Sequence, residues 1–319
     1  MTFKPSSLPS LEGKIFLVTG GNTGIGYATT LALASKGARV YIGARSAAKA
    51  TAAITKIQAI HQNSDLHTLI LDHSSLASVV SAAKTFASKE KMLHGLILNA
   101  GIMAVPYELT GDGFESQMQV NYLAHWLLTF HLLPMLQATA KEEGPSSVRV
   151  VCVSSEGHQK FSFGTTKILY DAGDIKTFGD FGRYGLSKLA NVLHAKSLHA
   201  QFGPGSESAK AGNGEIWTGS LHPGFIDTGM NENTRDRQPW YLSWLHYFLR
   251  MFGIMRPWDE GCVSSIFVGA SPEFRSEMSG LYFDEFARVK EPNVAAKDAT
   301  EQERLEQWTR EVMKEGGWI

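Results

Sequence analysis

The chain has 319 residues, 43% of them apolar, and a formal net charge of −1. That length suits one doubly wound α/β domain with a sizeable core, and the near-zero charge without basic stripe or acidic tail implies neither nucleic acid nor anionic membrane as partner. Two cysteines, Cys152 and Cys262, read as buried thiols of a reducing compartment, so a cytoplasmic location is expected.

Residues 1–12 lack the apolar run of a signal peptide, and Pro5 and Pro9 mark them as a loose lead-in to a single domain over 13–319. No later apolar run is long enough to span a bilayer, so membrane association is not expected. Ile15-Phe-Leu-Val18 reads as a buried strand. Gly20 to Gly26 follow, then a helix over Tyr27–Ser35, the closing Gly37-Ala38-Arg39 and a second strand from Val40 to Ile42. Strand, glycine turn, helix, strand is the βαβ unit that binds dinucleotides. Its glycines let the backbone approach a pyrophosphate, and its helix N-terminus offers unpaired N–H groups to the charge. Further strands are expected at 66–71, 95–98, 148–153, 216–221 and 280–283, with helical patterns between most of them. The fold class is therefore α/β, a single Rossmann-type domain with a seven-stranded, mostly parallel sheet and helices on both faces.

Tyr184-Gly-Leu-Ser-Lys188 is the most informative segment after the glycines. On a helix its Tyr and Lys are four residues apart and share a face, and an ammonium beside a phenol favours the phenolate. Such a tyrosine could exchange a proton with a substrate oxygen. Gly203 to Gly214 is a flexible loop by composition. From Asn231 to Pro257, Trp240, Trp244, Phe248, Met251 and Met255 recur at helical spacing; they read equally as a core-docked helix and as a lid, within 229–258, over a hydrophobic substrate. Cys262 falls in a further expected helix, and the eleven histidines show no metal-ligand spacing.

The glycine spacing Gly20-x-x-x-Gly24-x-Gly26, together with Tyr184-x-x-x-Lys188, resembles the short-chain dehydrogenase/reductase family. Asn99-Ala100-Gly101, Asn121, Ser155 and Pro223-Gly224 with Thr228 match its further motifs in order, from about Gly13 to Phe283. Val120-Asn-Tyr-Leu-Ala-His, Lys188-Leu-Ala-Asn-Val-Leu and Ser279-Gly-Leu-Tyr-Phe look most like the retinol dehydrogenase and WW-domain oxidoreductase branch, which also lengthens the link between Ser155 and Tyr184. The resemblance implies hydride transfer between a nicotinamide and a carbonyl or alcohol, with Asn121, Ser155, Tyr184 and Lys188 catalytic. Asn121 would anchor a water beside Lys188; Ser154 is the second candidate for the serine. Gly20, Asn22, Thr23, Gly24, Ile25, Gly26, Asn99, Ala100, Gly101, Tyr184, Lys188, Pro223, Gly224 and Thr228 would bind the cofactor.

After the second strand the chain offers Gly43-Ala44-Arg45, with no carboxylate for a ribose diol and a guanidinium suited to a 2′-phosphate. NADP(H) is the expected cofactor and NAD(H) the alternative. Asp72 stands either at the adenine ring or as N-cap of the helix beginning near Leu76. A bulky hydrophobic small molecule is the expected substrate, a homo-oligomer stays open, and a binding protein of the same fold without redox turnover is the alternative function.

Overall fold

The computed structural model describes residues 3–160, 172–224 and 260–319. The expected lid over 229–258 and Thr228 lie outside these residues. Seven strands form one sheet: β1 (Ile15–Thr19), β2 (Arg39–Ala44), β3 (Leu66–Ile70), β4 (Gly95–Leu98), β5 (Val148–Val153), β6 (Ile216–Leu221) and β7 (Tyr282–Phe283). Their order is β3-β2-β1-β4-β5-β6-β7, and every neighbouring pair is parallel. A parallel sheet covered on both faces needs side chains that are apolar on both sides. β4 meets this, and β5 and β6 are buried along their whole length with only Arg149, Thr218 and Ser220 polar among their residues.

Among the described residues the helices of eight residues or more are α1 (Gly24–Ala34), α2 (Ala47–Ile60), α3 (Leu76–Lys89), α4 (Ala124–Glu143), α5 (Asp180–Phe202), α6 (Val263–Ala270) and α7 (Ala299–Glu315). On one face, Phe86 of α3, Leu127 and Leu132 of α4, and Leu186 and Leu189 of α5 pack with Leu96 and Val150 of the sheet. On the other face, Leu33 of α1 and Ile266 of α6 pack with Val18 and Val151. Each such fully buried side chain stabilises the fold by about 1.5–3 kcal/mol. The strand order reverses between β1 and β4, and in such sheets a crevice opens there beyond the carboxyl ends of the strands.

Three local expectations are corrected. Residues 3–12 are docked rather than loose: Phe3, Leu8 and Leu11 are buried, and the Phe3 ring meets Phe267 edge-on at 5.3 Å. α1 starts at Gly24, three residues before the expected Tyr27, so its first turn is built from the glycine motif itself. The segment 203–214 contains a helical turn, Glu207–Lys210, whose N-cap Ser206 accepts the Ala209 N–H at 3.2 Å. Its glycines at 205, 212 and 214 serve positive φ at the surrounding bends. Cys262 ends a short 3-10 turn (Glu260–Cys262) just before α6, and both cysteines are buried free thiols.

Candidate active site

β1 ends at Thr19, and the chain turns at Gly20, whose φ of 64° is open to glycine and strained for other residues. A Cβ on Gly20 would lie 3.2 Å from the Ala100 Cα, and one on Gly26 would lie 2.3 Å from the Gly20 carbonyl oxygen. The glycines therefore bring the first turn of α1 down onto the residues that follow β4. The Thr23 N-cap makes no side-chain capping bond, so it leaves the first-turn N–H groups of α1 uncapped by its hydroxyl, at the switch point of the sheet. Asn22 and Ile25 are half-buried beside this turn and Thr23 is exposed. That arrangement fits an anionic pyrophosphate. Arg45 stands exposed just beyond β2.

Asp72 follows β3, and its Oδ1 accepts the Ser74 N–H at 2.9 Å and the Ser74 hydroxyl at 2.7 Å. The N-cap of α3 is Ser75, whose hydroxyl accepts the Ser78 N–H at 3.3 Å. The capping alternative for Asp72 is thereby overturned: it closes a local turn one step ahead of the cap.

Asn99-Ala100-Gly101 is fastened to β1. Thr19 Oγ1 accepts the N–H groups of Asn99 at 2.8 Å and Ala100 at 2.9 Å, and the Asn99 amide donates to the Thr19 carbonyl at 2.9 Å. A Cβ on Gly101 would stand 3.0 Å from Asn121 Oδ1 and 3.3 Å from Lys188 Nζ. This turn thus lies directly against two of the expected catalytic residues. Pro223 and Gly224, the latter with φ 96°, follow β6 at the same end of the sheet.

β5 delivers the two serines to different places. The Ser154 hydroxyl is buried and donates to the Lys188 carbonyl at 2.7 Å, a link between sheet and α5. Ser155, half-buried, accepts the Gly157 N–H at 3.1 Å and stands near enough to the Tyr184 phenol to favour its charged form. Of the pair, Ser155 is the one that meets Tyr184.

Tyr184 and Lys188 lie on α5 as their spacing predicts, with the lysine directed at a neighbouring carbonyl rather than at the phenol hydroxyl. Its Nζ donates to the Val153 carbonyl at 3.0 Å and sits 5.8 Å from the Tyr184 ring centroid. Burial pushes the phenol up to about 12, which the nearby Ser155 hydroxyl only partly offsets. Burial likewise pushes the Lys188 ammonium down to about 8. Both shifts have one cause: a site removed from water disfavours either charged form. Near neutral pH, Tyr184 is a protonated donor and Lys188 still carries its charge.

Asn121 sits inside a π turn (Gln119–Leu123) that precedes α4. Its Oδ1 accepts the Ile102 N–H at 2.8 Å, and its amide donates to the Ile102 carbonyl at 3.0 Å and to the Ser187 hydroxyl at 2.8 Å. Both amide hydrogens are therefore taken by protein. A water beside Lys188 would have to donate to Asn121 rather than accept from its amide, a refinement of the expected anchoring.

Sequence reasoning missed the residues that wire this site. Gln117 accepts the Ala104 N–H at 2.9 Å and donates to the Asp180 carbonyl at 3.0 Å, joining the post-β4 segment to the start of α5. Buried Arg183 adds a bond to the Val105 carbonyl at 3.0 Å and an ion pair with buried Glu115 at 3.3 Å. His125, four residues after Asn121 on the same helical run, was legible only as the last residue of Val120-Asn-Tyr-Leu-Ala-His, without a role. Among the described residues, no group of His, Cys, Asp or Glu converges as a metal site, and no helix is long and apolar enough to cross a membrane.

A family model described as short chain dehydrogenase matches residues 14–170. A protein of Aspergillus calidoustus named short-chain dehydrogenase/reductase drtF is 48% identical over 315 residues, covering 97% of this chain and 96% of its own length. Human retinol dehydrogenase 12 is 36% identical over 282 residues, with 88% and 80% covered. The solved RhlG/NADP active-site complex of Pseudomonas aeruginosa superposes with a TM-score of 0.63 at 25% identity, covering 86% of this chain and 95% of that one. The chain belongs to the short-chain dehydrogenase/reductase family of nicotinamide-dependent oxidoreductases. Within that family, retinol dehydrogenases 11 and 12 stand among its relatives.

Proposed function

We propose that the protein is an NADP(H)-dependent oxidoreductase that interconverts a carbonyl and an alcohol on a bulky hydrophobic small molecule. The observation that carries this reading is the meeting of Ser155 and Tyr184 at the end of β5, with Lys188 and Asn121 against Gly101 beside it. The uncapped start of α1, from Gly20, Asn22, Thr23 and Gly24 to Ile25 and Gly26, would hold the pyrophosphate. Asn99, Ala100, Gly101, Tyr184, Lys188, Pro223 and Gly224 would hold the nicotinamide half, and Thr228 is proposed with them. Arg45 would pair with the 2′-phosphate, and Asp72 would stand at the adenine.

When bound, the nicotinamide supplies the hydride that reaches the carbonyl carbon. Ser155 donates a hydrogen bond to the carbonyl oxygen and polarises it. Tyr184, held protonated by burial, gives its proton to that oxygen as the C–O bond becomes an alkoxide. The ammonium of Lys188 lowers the cost of the phenolate left behind, and reprotonation from solvent resets the site. In the reverse direction the phenolate takes the alcohol proton. A bulky apolar substrate is supported by the aromatic spacing of Trp240, Trp244 and Phe248 and by the printed names of the retinol dehydrogenase relatives.

The test is NADPH and NADH oxidation against aromatic ketones, quinones and retinoid aldehydes. Turnover with NADPH and at least one bulky carbonyl is expected. Cofactor binding without turnover of any of them, in either direction, would reverse the reading.

A further inference from the structure

His125 lies one helical turn beyond Asn121, is 1% exposed, and is engaged at both ring nitrogens. Nδ1 is 2.9 Å from the Asn121 carbonyl oxygen, and Nε2 is 2.9 Å from Thr19 Oγ1. Counting hydrogens decides which nitrogen donates. A threonine hydroxyl has two lone pairs and one hydrogen. The lone pairs of Thr19 Oγ1 already accept the N–H groups of Asn99 and Ala100. Its hydrogen goes to His125 Nε2 or, at a longer 3.3 Å, to the Ile97 carbonyl. With no lone pair left on Thr19, Nε2 must be an acceptor. The ring proton therefore sits on Nδ1 and is donated to the Asn121 carbonyl.

An imidazolium would aim an Nε2–H at a saturated oxygen, so this ring is built to stay neutral. Burial acts the same way and, with the neighbouring His73 ring 4.7 Å away, holds His125 well below the usual histidine range. The bridge connects two pieces of the site that the backbone does not connect. One end is the Thr19 hydroxyl on which Asn99 and Ala100 hang. The other is the carbonyl of the π-turn residue whose amide holds Ile102 and Ser187. The Ser187 hydroxyl in turn donates to the Tyr184 carbonyl at 2.8 Å.

We propose that His125 is a positioning residue that locks the Asn121 turn to the Asn99-Ala100-Gly101 turn, so that Gly101, Asn121 and Lys188 keep one arrangement when the dinucleotide binds. The proposal rests on the oxidoreductase reading for its effect on rate, and only on cofactor binding for its effect on affinity. Slack is small there, since a Cβ on Gly101 would already crowd both Asn121 and Lys188. Asparagine at 125 can keep the donor at the Nδ1 position and so the bond to Asn121. Glutamine reaches toward Thr19, as Nε2 does, and loses that bond. Phenylalanine fills the space and loses both.

The experiment compares His125→Asn, His125→Gln and His125→Phe in steady-state kinetics and in titrations with NADPH and with adenosine 2′,5′-bisphosphate. In His125→Phe, kcat should fall by about tenfold or more while the substrate KM stays within about twofold. NADPH should bind more weakly, and the bisphosphate, which lacks the nicotinamide half, should bind as in the parent. His125→Asn and His125→Gln each keep one end of the bridge and lose the other, so neither should recover more than part of kcat and NADPH affinity. A His125→Phe enzyme with parental kcat and NADPH affinity overturns the proposal, as does an Asn or Gln variant with parental values of both. If His125→Phe does not fold, the Asn and Gln variants decide by the same comparison with the parent. If the parent turns over no carbonyl, the functional reading fails by itself. NADPH affinity then decides the positioning role: weakened in the variants, with bisphosphate affinity unchanged, upholds it, and parental NADPH affinity in them overturns it.

Discussion

The Lys188 ammonium is directed at the Val153 carbonyl, 3.0 Å away, and not at the Tyr184 hydroxyl one helical turn before it. The same carbonyl also accepts from the Asn191 amide at 3.1 Å, so the end of β5 is clamped to α5 by two side chains. Lys188 therefore does two things by position alone: it fixes the helix carrying Tyr184, and it holds a positive charge 5.8 Å from the phenol ring.

A pH dependence follows from the two shifts. Burial holds Tyr184 up at about 12, so the proton donor is loaded throughout the neutral range. Burial holds Lys188 down at about 8, so its charge is present below that pH and lost above it. Reductive kcat/KM should be nearly flat from about pH 6 to 7 and should fall above about 8, approaching tenfold per unit. Lys188→Met should lower kcat/KM at every pH and remove that alkaline limb. A parent rate that rises from pH 8 to 9 would contradict this assignment.

Gly26→Ala tests the cofactor turn through packing. The new Cβ would sit 2.3 Å from the Gly20 carbonyl oxygen and 2.5 Å from the Asn99 amide nitrogen, inside any tolerable contact. The glycine turn or Asn99 must shift, at a cost of about 1–3 kcal/mol. A lowered Tm and weakened NADPH binding are expected together, read by thermal melts with and without cofactor. Unchanged values of both would show that this close approach is absent in solution.

Cofactor choice is tested at Arg45. Ala44 is buried beside Ala50 and Ala53, where a carboxylate would be desolvated, whereas Arg45 is exposed. Arg45→Asp therefore places an acid near the ribose diol at small cost to the fold. The NADH/NADPH ratio of kcat/KM should shift toward NADH by roughly ten- to a hundredfold, as a charge-assisted pair with the phosphate becomes a repulsion. A parent that already prefers NADH would overturn the reading of this strand end.

Much of the scaffold was legible because a buried parallel sheet needs mostly apolar strands, and such segments match β4, β5 and β6 to the residue. The meeting of Ser155 with Tyr184 was expected only from resemblance, since 29 positions separate them and no local rule spans that distance. The shared face of Tyr184 and Lys188 was a local expectation drawn from helical spacing, whereas the burial that holds the phenol up at about 12 depends on the assembled fold. Thr19 and Asn99, 80 positions apart, and His125 with Thr19, 106 apart, illustrate bonds that exist only once the sheet is assembled. α7 was missed although its signals are local: Asp298 caps it by accepting the Thr300 N–H at 2.8 Å, and Leu305, Thr309 and Met313 form its buried stripe. It docks through Tyr122 to Thr309 at 2.8 Å and Trp126 to Glu306 at 2.9 Å, beyond the span of the family motifs.

The central claim is that Tyr184 is the proton donor of a nicotinamide-dependent carbonyl reduction, and Tyr184→Phe tests it most directly. The ring keeps its place on α5 and loses only the hydroxyl that Ser155 meets. Reductive kcat/KM on an active carbonyl should fall by about 10²–10⁴-fold, with the NADPH dissociation constant within about threefold of the parent. Turnover within a few-fold of the parent, with NADPH bound normally, would contradict the account.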